Sequence, residues 1–266
     1  MTTVASFASL DDLRRAFRAL GGDGPPVTAR QVSVPDRRTR TGSARWVTAA
    51  GEWAVLVCGC GGSPGATTMA LSLATAADRA RVVETCGGLA SGLVYAATSE
   101  LGTVERQWLR GTRDAVVLER RAELVSSPDD VPAPAALDAP LTIVDSSWDI
   151  GCLLESAGWL GDLARTALTV VLVSRATIPG LRRLEATASL IDLSRLVAVT
   201  VGARRWPRPV EQAAGPMVRR LRDEGRIVLV PHEPGLALAG LTPDPLPPSI
   251  LRPAQTVLTL LEGLPS

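Results

Sequence analysis

Residues 53–80, "WAVLVCGCGGSPGATTMALSLATAADRA", decide the fold class. The run from 53 to 58 is continuously apolar, which is typical of a strand buried on both faces of a parallel sheet. A glycine-rich turn follows it, and residues 67–80 have the composition of a helix. The stretch therefore predicts a strand, a tight turn and a helix in succession, which is how an α/β domain begins.

The rest of the chain continues this alternation. Helical segments are predicted near 153–165, 179–193 and 210–224, with a closing helix within 249–264. Alternating strands and helices predict an α/β fold with a doubly wound, mainly parallel sheet and helices on both faces, a three-layer sandwich whose ligands bind at the carboxyl ends of the strands. The further predicted strands are 81–85, 115–119, 141–145, 168–174, 196–201 and 226–231.

The segment before the first strand does not show this alternation of strands and helices. Apolar residues recur at helical spacing between positions 10 and 20, which predicts an N-terminal helix within residues 1–22. Residues 23–51 are rich in glycine, proline and arginine and are predicted to be a basic linker. The α/β domain itself is predicted over residues 52–266.

Composition limits the chemistry. The 266 residues are 46% hydrophobic and carry a formal net charge of +1, so the overall charge balance does not require a nucleic acid or an anionic membrane as partner. No lysine occurs anywhere in the sequence. Mechanisms that need a lysine of this chain, such as a Schiff base or a phosphate-loop lysine, are therefore excluded.

The cysteines and the apolar segments indicate a cytoplasmic protein. The four cysteines lack the C-x-x-C spacing of structural zinc sites, so buried, reduced thiols are expected. The N-terminus has acidic residues where a secretory signal has its apolar centre, and no apolar run approaches the roughly 20 residues of a transmembrane helix.

The turn after the first strand has the parts of a phosphate-binding loop: a strand, a glycine-rich turn and a helix N-terminus. Thr67 stands where the G-x-x-x-x-G-K-[ST] motif has its magnesium-binding hydroxyl. Ala66 occupies the lysine position of that motif, and Cys60 replaces its first glycine. The predicted phosphate-binding residues are Gly59, Cys60, Gly61, Gly62, Ser63, Pro64, Gly65, Ala66, Thr67 and Thr68.

Over residues 52–263, the order of these elements resembles the MinD/ParA-like branch of P-loop NTPases. That family has an additional lysine near the start of its loop, where this chain has Gly61. "IVDSSWDIG" is similar to the family's second acidic strand, so Asp145 corresponds to the aspartate that supports magnesium and the attacking water. Glu84 ends the second predicted strand, where the family often has an aspartate.

The nucleobase side of the resemblance is less complete. The strand 196–201 resembles the one that in the family ends in an adenine-reading asparagine, but Gly202 follows it here. "IVLVPHEPG" resembles the strand and loop that flank the base, which makes Pro231 and His232 candidates for nucleotide contacts. Arg204 and Arg175 are candidates for the phosphate contacts that the absent lysines no longer make.

The resemblance implies ATP and Mg²⁺ as cofactors, Thr67 and Asp145 as metal ligands, and Asp145 and Glu84 as catalytic residues. Because both lysines are missing, we predict a degenerate member with weak or no ATP hydrolysis that acts as a positioning or regulatory scaffold, for a pilus, secretion or division apparatus. The resemblance also implies a homodimer. An active ATPase that uses Arg175 or Arg204 in place of lysine is the first alternative.

A serine hydrolase is the second alternative. Ser63 lies in a G-x-S-x-G sequence between a strand and a helix, the context of a nucleophile elbow. Asp145 and His232, the sole histidine, would complete a triad in the order of α/β-hydrolases. However, Pro64 lacks the backbone N–H that should follow the nucleophile and form part of the oxyanion hole.

Overall fold

A computed structural model describes residues 46, 48–49, 51–105, 107–167 and 169–264. The predicted N-terminal helix and most of the predicted linker lie outside these residues. The described strands are β1 (Trp53–Gly59), β2 (Ala80–Glu84), β3 (Ser99–Val104), β4 (Trp108–Arg113), β5 (Val116–Arg121), β6 (Leu141–Ser146), β7 (Thr169–Arg175), β8 (Leu196–Val201) and β9 (Ile227–Val230). The described helices are α1 (Ala66–Ala76), α2 (Ile150–Glu155), α3 (Trp159–Thr166), α4 (Ile178–Ala188), α5 (Arg208–Gln212), α6 (Pro216–Asp223), α7 (Pro234–Ala239) and α8 (Pro248–Glu262).

Within the described residues, the strands form one nine-stranded sheet in the order β3-β4-β5-β2-β6-β1-β7-β8-β9. The β3-β4 and β4-β5 pairs are antiparallel, and the other neighbours are parallel. The central position of β1 brings the glycine-rich loop to the middle of the carboxyl edge. The predicted fold class, a mainly parallel doubly wound sheet, is confirmed.

Helices cover both faces of the sheet because the strands alternate their apolar side chains. Leu56 and Cys58 of β1 belong to a core that also contains Trp159 of α3 and Leu181 of α4. Val55 and Val57 of the same strand belong to the opposite core, which α1 and α8 complete with the side chains of Met69, Leu71, Val257 and Leu261, among others. These two cores make the three-layer sandwich.

The antiparallel end of the sheet was not predicted. β3 and β4 are a hairpin whose first strand is almost entirely exposed, so the sequence lacks the apolar run that marks the other strands. Next to this hairpin, the buried carboxylate of Glu119 accepts hydrogen bonds from Nε of Arg81 at 2.8 Å and Nε of Arg110 at 2.9 Å. This ion-paired group joins β2, β4 and β5.

Two predicted helices are each divided in two. Between α2 and α3, the hydroxyl of Ser156 and the N–H groups of Ala157 and Gly158 all donate to Oδ1 of Asp129, at 2.7, 2.9 and 2.9 Å. These bonds hold the chain in a turn that ends α2. Pro216 begins α6, as proline often does at the first helical position, and so separates it from α5.

Candidate functional site

A cleft of about 660 Å³ opens at the carboxyl edge of the sheet. The glycine-rich loop and the beginning of α1 form one side of it, and the segment after β9 with α7 forms another. All the predicted loop residues except Cys60 line this cleft, together with Asp145, Arg175, Pro231 and His232. The structure therefore brings most of the candidate site residues together in one place.

The loop has a tightly turned backbone. Gly61, Ser63 and Gly65 have φ values of 127°, 47° and 97°, in the region that favours glycine. Pro64 is buried against the start of the loop, because a Cβ atom on Gly59 would lie 2.7 Å from Cγ of this proline. The turn thus needs a glycine at position 59 and brings the chain directly into α1.

The backbone N–H groups of the loop are largely unpaired. Cys60 donates to the carbonyl of Val173 at 2.8 Å, whereas the N–H groups of residues 61–63 and 65–68 donate to no acceptor among the residues that the structure describes. Helix α1 has neither a side-chain cap nor an acidic residue in its first turn. Unpaired amides and an uncapped helix N-terminus favour a bound anion.

The thiol of Cys60 does not belong to the cleft. Its side chain is buried in the core beneath α4, and burial raises the pKa of this thiol to about 11. Cys58 and Cys86 are also buried, whereas Cys152 is partly exposed. All four are free thiols, and the structure describes no group of residues able to hold a metal by histidine, cysteine or carboxylate ligands alone.

Asp145 lies at the carboxyl end of β6, directly beside the loop. Its carboxyl is 3% exposed and hydrogen-bonds with the hydroxyl of Thr67. Burial raises the pKa of Asp145 to about 7, with a further contribution from the negative charge of Glu84, while the bond to Thr67 acts in the opposite direction. Near neutral pH, this aspartate is therefore only partly ionised.

Glu84 is buried at the end of β2, where it holds the following loop. Its Oε1 accepts the N–H of Gly92 at 2.8 Å, and its Oε2 accepts the hydroxyl of Ser91. Burial raises the pKa of this carboxyl, and these hydrogen bonds offset the effect in part. Gly92 in turn contacts the first turn of α1, because a Cβ atom there would lie 2.9 Å from Cγ2 of Thr67. Glu84 itself does not line the cleft.

The part of the cleft formed by the ends of β8 and β9 and by α7 is mostly apolar, although His232 and Glu233 also line it. Val201 and Val230, at the ends of β8 and β9, line it together with Pro231, Leu236 and Ile250. Gly202 follows β8, so this position offers no side-chain amide to a base. An apolar wall next to a polar loop suits a ligand that has a ring at one end and an anion at the other.

The two arginines proposed from the sequence occupy different places. Arg175, at the end of β7, is exposed and lines the cleft. Arg204 is exposed on the loop after β8 and is not among the lining residues. The neighbouring Trp206 is buried and donates from Nε1 to the hydroxyl of Thr200 at 2.9 Å, so it anchors that loop to the sheet.

The residues present fit a magnesium–nucleotide in composition. Mg²⁺ takes oxygen ligands and is commonly held by a carboxylate and a hydroxyl together with phosphate oxygens. Asp145 and Thr67 supply such a pair, and the unpaired amides lie beside them. What the site lacks is a lysine, since α1 begins at Ala66.

The same geometry is unsuited to a serine nucleophile. Ser63, Asp145 and His232 all line the cleft, but no hydrogen bond within the described part of the chain joins any two of them. The side chain of Asp145 hydrogen-bonds with Thr67 rather than with the histidine. Pro64 provides no N–H after the serine. The three residues are therefore neighbours without the linked geometry of a triad.

No helix within the described ranges has the length and apolarity to cross a membrane.

The sequence matches no protein-family model and no curated protein.

Solved structures do resemble the fold. The septum site-determining protein MinD from Pyrococcus horikoshii OT3, complexed with Mg-ADP, has a TM-score of 0.50 at 12% identity, over 80% of this chain and 97% of that one. The Pyrococcus furiosus cell division ATPase MinD has a TM-score of 0.49 at 13% identity, over 78% of this chain and 99% of its own. A putative plasmid partition protein from Borrelia burgdorferi B31 bound to AMPPNP has a TM-score of 0.49 at 9% identity, over 79% and 98%.

At these identities, the likeness concerns the fold alone. The first of these structures matches nearly all of its own length, and the site described above lies in the same mainly parallel sandwich. The chain therefore has the fold of MinD, the P-loop NTPase-like architecture that its sequence resembles.

Proposed function

We propose that this chain is a degenerate MinD/ParA-like P-loop protein that holds nucleotide phosphates by backbone amides and acts as a positioning or regulatory scaffold. One observation carries the proposal: in a cleft beside Asp145, the N–H groups of residues 61–63 and 65–68 donate to no acceptor in the described part of the chain, while Ala66 stands at the lysine position. Such a loop retains the backbone part of a phosphate site and lacks its main cationic side chain.

Each group has a defined role in this proposal. The loop amides and the N-terminus of α1 hold the phosphates, the apolar wall around Val230 and Leu236 holds the base, and Thr67 with Asp145 holds Mg²⁺. When bound, the metal supplies positive charge to the phosphates. The similar MinD structure from Pyrococcus horikoshii OT3 is complexed with Mg-ADP, which supports an adenine nucleotide and Mg²⁺ as the ligands.

Hydrolysis is expected to be weak for two reasons. The lysine that stabilises charge on the β- and γ-phosphates is absent, and loss of a comparable donor costs roughly 10²–10³ in rate. In addition, burial raises the pKa of Asp145, so in the absence of a cation its carboxyl ionises less readily than an exposed aspartate. Both features lower the expected rate of turnover.

The test combines calorimetric titration with ATP and Mg²⁺ and a phosphate-release assay on the wild type, on Asp145→Ala and on Asp138→Ala. Asp138 is an exposed carboxylate paired with Arg79 and serves as the control. We expect ATP binding without rapid turnover in the wild type and in the control. Rapid turnover that Asp145→Ala abolishes would contradict the scaffold proposal, and absence of ATP binding would contradict the nucleotide site.

An active ATPase with arginine in place of lysine is the second candidate, and the position of Arg175 in the cleft favours it. In that case Arg175→Ala should lose ATP hydrolysis, whereas Arg204→Ala, outside the cleft lining, should retain it. If the wild type hydrolyses no ATP under conditions of saturating binding, this candidate is excluded.

We further propose that the face around the cleft meets a second copy of the chain or a protein partner of a pilus, secretion or division apparatus. Leu89 and Leu238 are each 92% exposed, and each directly precedes or follows a residue that lines the cleft. Large exposed apolar side chains at such a position are typical of an interface. Light scattering with and without ATP would detect a dimer, which Leu89→Arg should weaken more than Leu190→Arg on a different loop.

A further inference from the structure

The guanidinium of Arg183 lies against the phosphate loop. A Cβ atom on Gly61 would lie 2.6 Å from Nη1 and 3.2 Å from Cδ of this arginine. Arg183 belongs to α4, which follows β7, so the contact joins a helix of one core to the loop that begins α1. The space that a side chain of residue 61 would occupy is filled by an arginine from elsewhere in the chain.

No protein group explains the position of this cation. Arg183 forms no ion pair and no hydrogen bond with any residue that the structure describes, and its side chain is exposed. The loop that it contacts offers unpaired N–H donors rather than acceptors. Donors and a positive charge therefore face the same point, an arrangement that an anion bound between them would stabilise.

The chemistry of the side chain indicates the kind of anion. A guanidinium presents several N–H donors in a plane and binds phosphate through two of them at once, which a lysine ammonium does not do. Gly61 is also the position at which the family resemblance expects a lysine. The arginine thus brings a cation to the part of the loop where the sequence lacks one.

We propose that Arg183 is a phosphate-binding residue of this site, which contacts the phosphates of a nucleoside di- or triphosphate held by the loop amides. This inference rests on the proposed function, because it needs an anion in the loop. It differs from the Arg175 alternative, since Arg175 lines the cleft, whereas Arg183 is not among the lining residues and reaches the site through its contact with Gly61.

The experiment uses two neighbouring arginines of α4. Arg182 is also exposed and forms no hydrogen bond or ion pair among the described residues, but it is not among the nearest neighbours of any glycine in the loop. Affinities for Mg-ATP, inorganic tripolyphosphate and adenosine are measured by calorimetry for the wild type, Arg183→Gln, Arg183→Lys and Arg182→Gln. Thermal unfolding of each variant confirms that the exposed substitutions leave the fold intact.

We expect Arg183→Gln to weaken ATP and tripolyphosphate binding about tenfold, the usual size of one lost charge-assisted hydrogen bond. Arg183→Lys should restore part of this loss, and Arg182→Gln should remain within about twofold of the wild type. Any affinity for adenosine should be the same in all four proteins. In a parallel measurement, ATP should protect Arg183 from phenylglyoxal more than it protects Arg182.

The two proposals fail in different ways. If the wild type binds ATP and Arg183→Gln binds it as tightly as Arg182→Gln does, the role of Arg183 is wrong while the nucleotide site stands. If the wild type binds neither ATP nor tripolyphosphate, both the proposed function and the role of Arg183 are wrong.

Discussion

Glu84 and Asp145 are paired in register on the adjacent parallel strands β2 and β6, and both carboxyl groups are buried at the carboxyl end of the sheet. The two carboxyl groups hydrogen-bond with different segments. Asp145 bonds with Thr67 at the start of α1, whereas Glu84 accepts from Ser91 and Gly92 in the segment after β2. Two acids this close in a buried site cannot both ionise without cost.

This pair predicts a specific dependence of stability on pH. The folded-state pKa of Asp145 is raised from 3.8 to about 7, so its contribution to the free energy of unfolding is fully present below pH 3.8 and is lost as the pH rises through 7. The loss amounts to at most about 4 kcal/mol. Asp145→Asn keeps an acceptor for Thr67 and should remove that loss.

Urea unfolding of the metal-free protein at a series of pH values between 4 and 8 measures this loss in the free energy of unfolding. The informative quantity is the difference between the wild type and Asp145→Asn, because it cancels the titration of all other groups. Glu262→Gln, at an exposed carboxylate near the end of α8, serves as the control and should follow the wild type. Parallel curves for the wild type and Asp145→Asn would contradict the raised pKa.

The missing lysine can be restored. Ala66→Lys places an ammonium at the first residue of α1, within the cleft lining. Because a charge-assisted hydrogen bond to phosphate is worth more than a neutral one, ATP affinity should rise about tenfold. Ala76→Lys adds the same charge at the last residue of the same helix and should leave the affinity unchanged. Equal gains in both variants would indicate a general effect of charge.

The serine of the loop should be unreactive. Ser63 has no hydrogen bond to His232, and Pro64 leaves the oxyanion position without its N–H donor. A fluorophosphonate probe should therefore label the wild type no more than it labels Ser63→Ala. Stoichiometric labelling that the substitution removes would revive the hydrolase alternative.

The buried ion pairs of the sheet predict a large effect on stability. Glu119→Ala leaves the buried guanidinium of Arg81 and the neighbouring Arg110 without their carboxylate, which should cost about 3–5 kcal/mol. Asp138→Ala removes the exposed partner of Arg79 and should cost less than about 1 kcal/mol. Chemical denaturation compares the two, and similar losses would mean that burial of the pair is not decisive.

Much of this fold was predictable from apolar patterns. The strands around β1 are buried on both faces, so each stands out as a short apolar run between turns. The hairpin of β3 and β4 was missed because its first strand faces solvent and its side chains carry no such pattern. The division between α2 and α3 was missed because the turn there depends on Asp129, a residue distant in sequence, whereas the division between α5 and α6 is marked in the sequence by Pro216.

The residues of the candidate site also fall into those that the sequence predicts and one that it does not. The order of strand, loop and helix places residues 59–68 and Asp145 at one edge, and topology alone brings them together. Arg183 could not be identified, because "GLRRLEAT" offers two adjacent arginines and only the contact with Gly61 distinguishes them. Whether these residues bind nucleotide stays a prediction.

The contact between Gly92 and Thr67 leaves no room for a methyl group at position 92, so the segment after β2 packs directly on the first turn of α1. A ligand at the N-terminus of α1 that pushed this threonine toward Gly92 would press on the segment that carries Leu89, whose side chain is almost fully exposed. A protein that contacts only the edge of the cleft near Leu89 would in this way respond to whether the cleft holds a ligand.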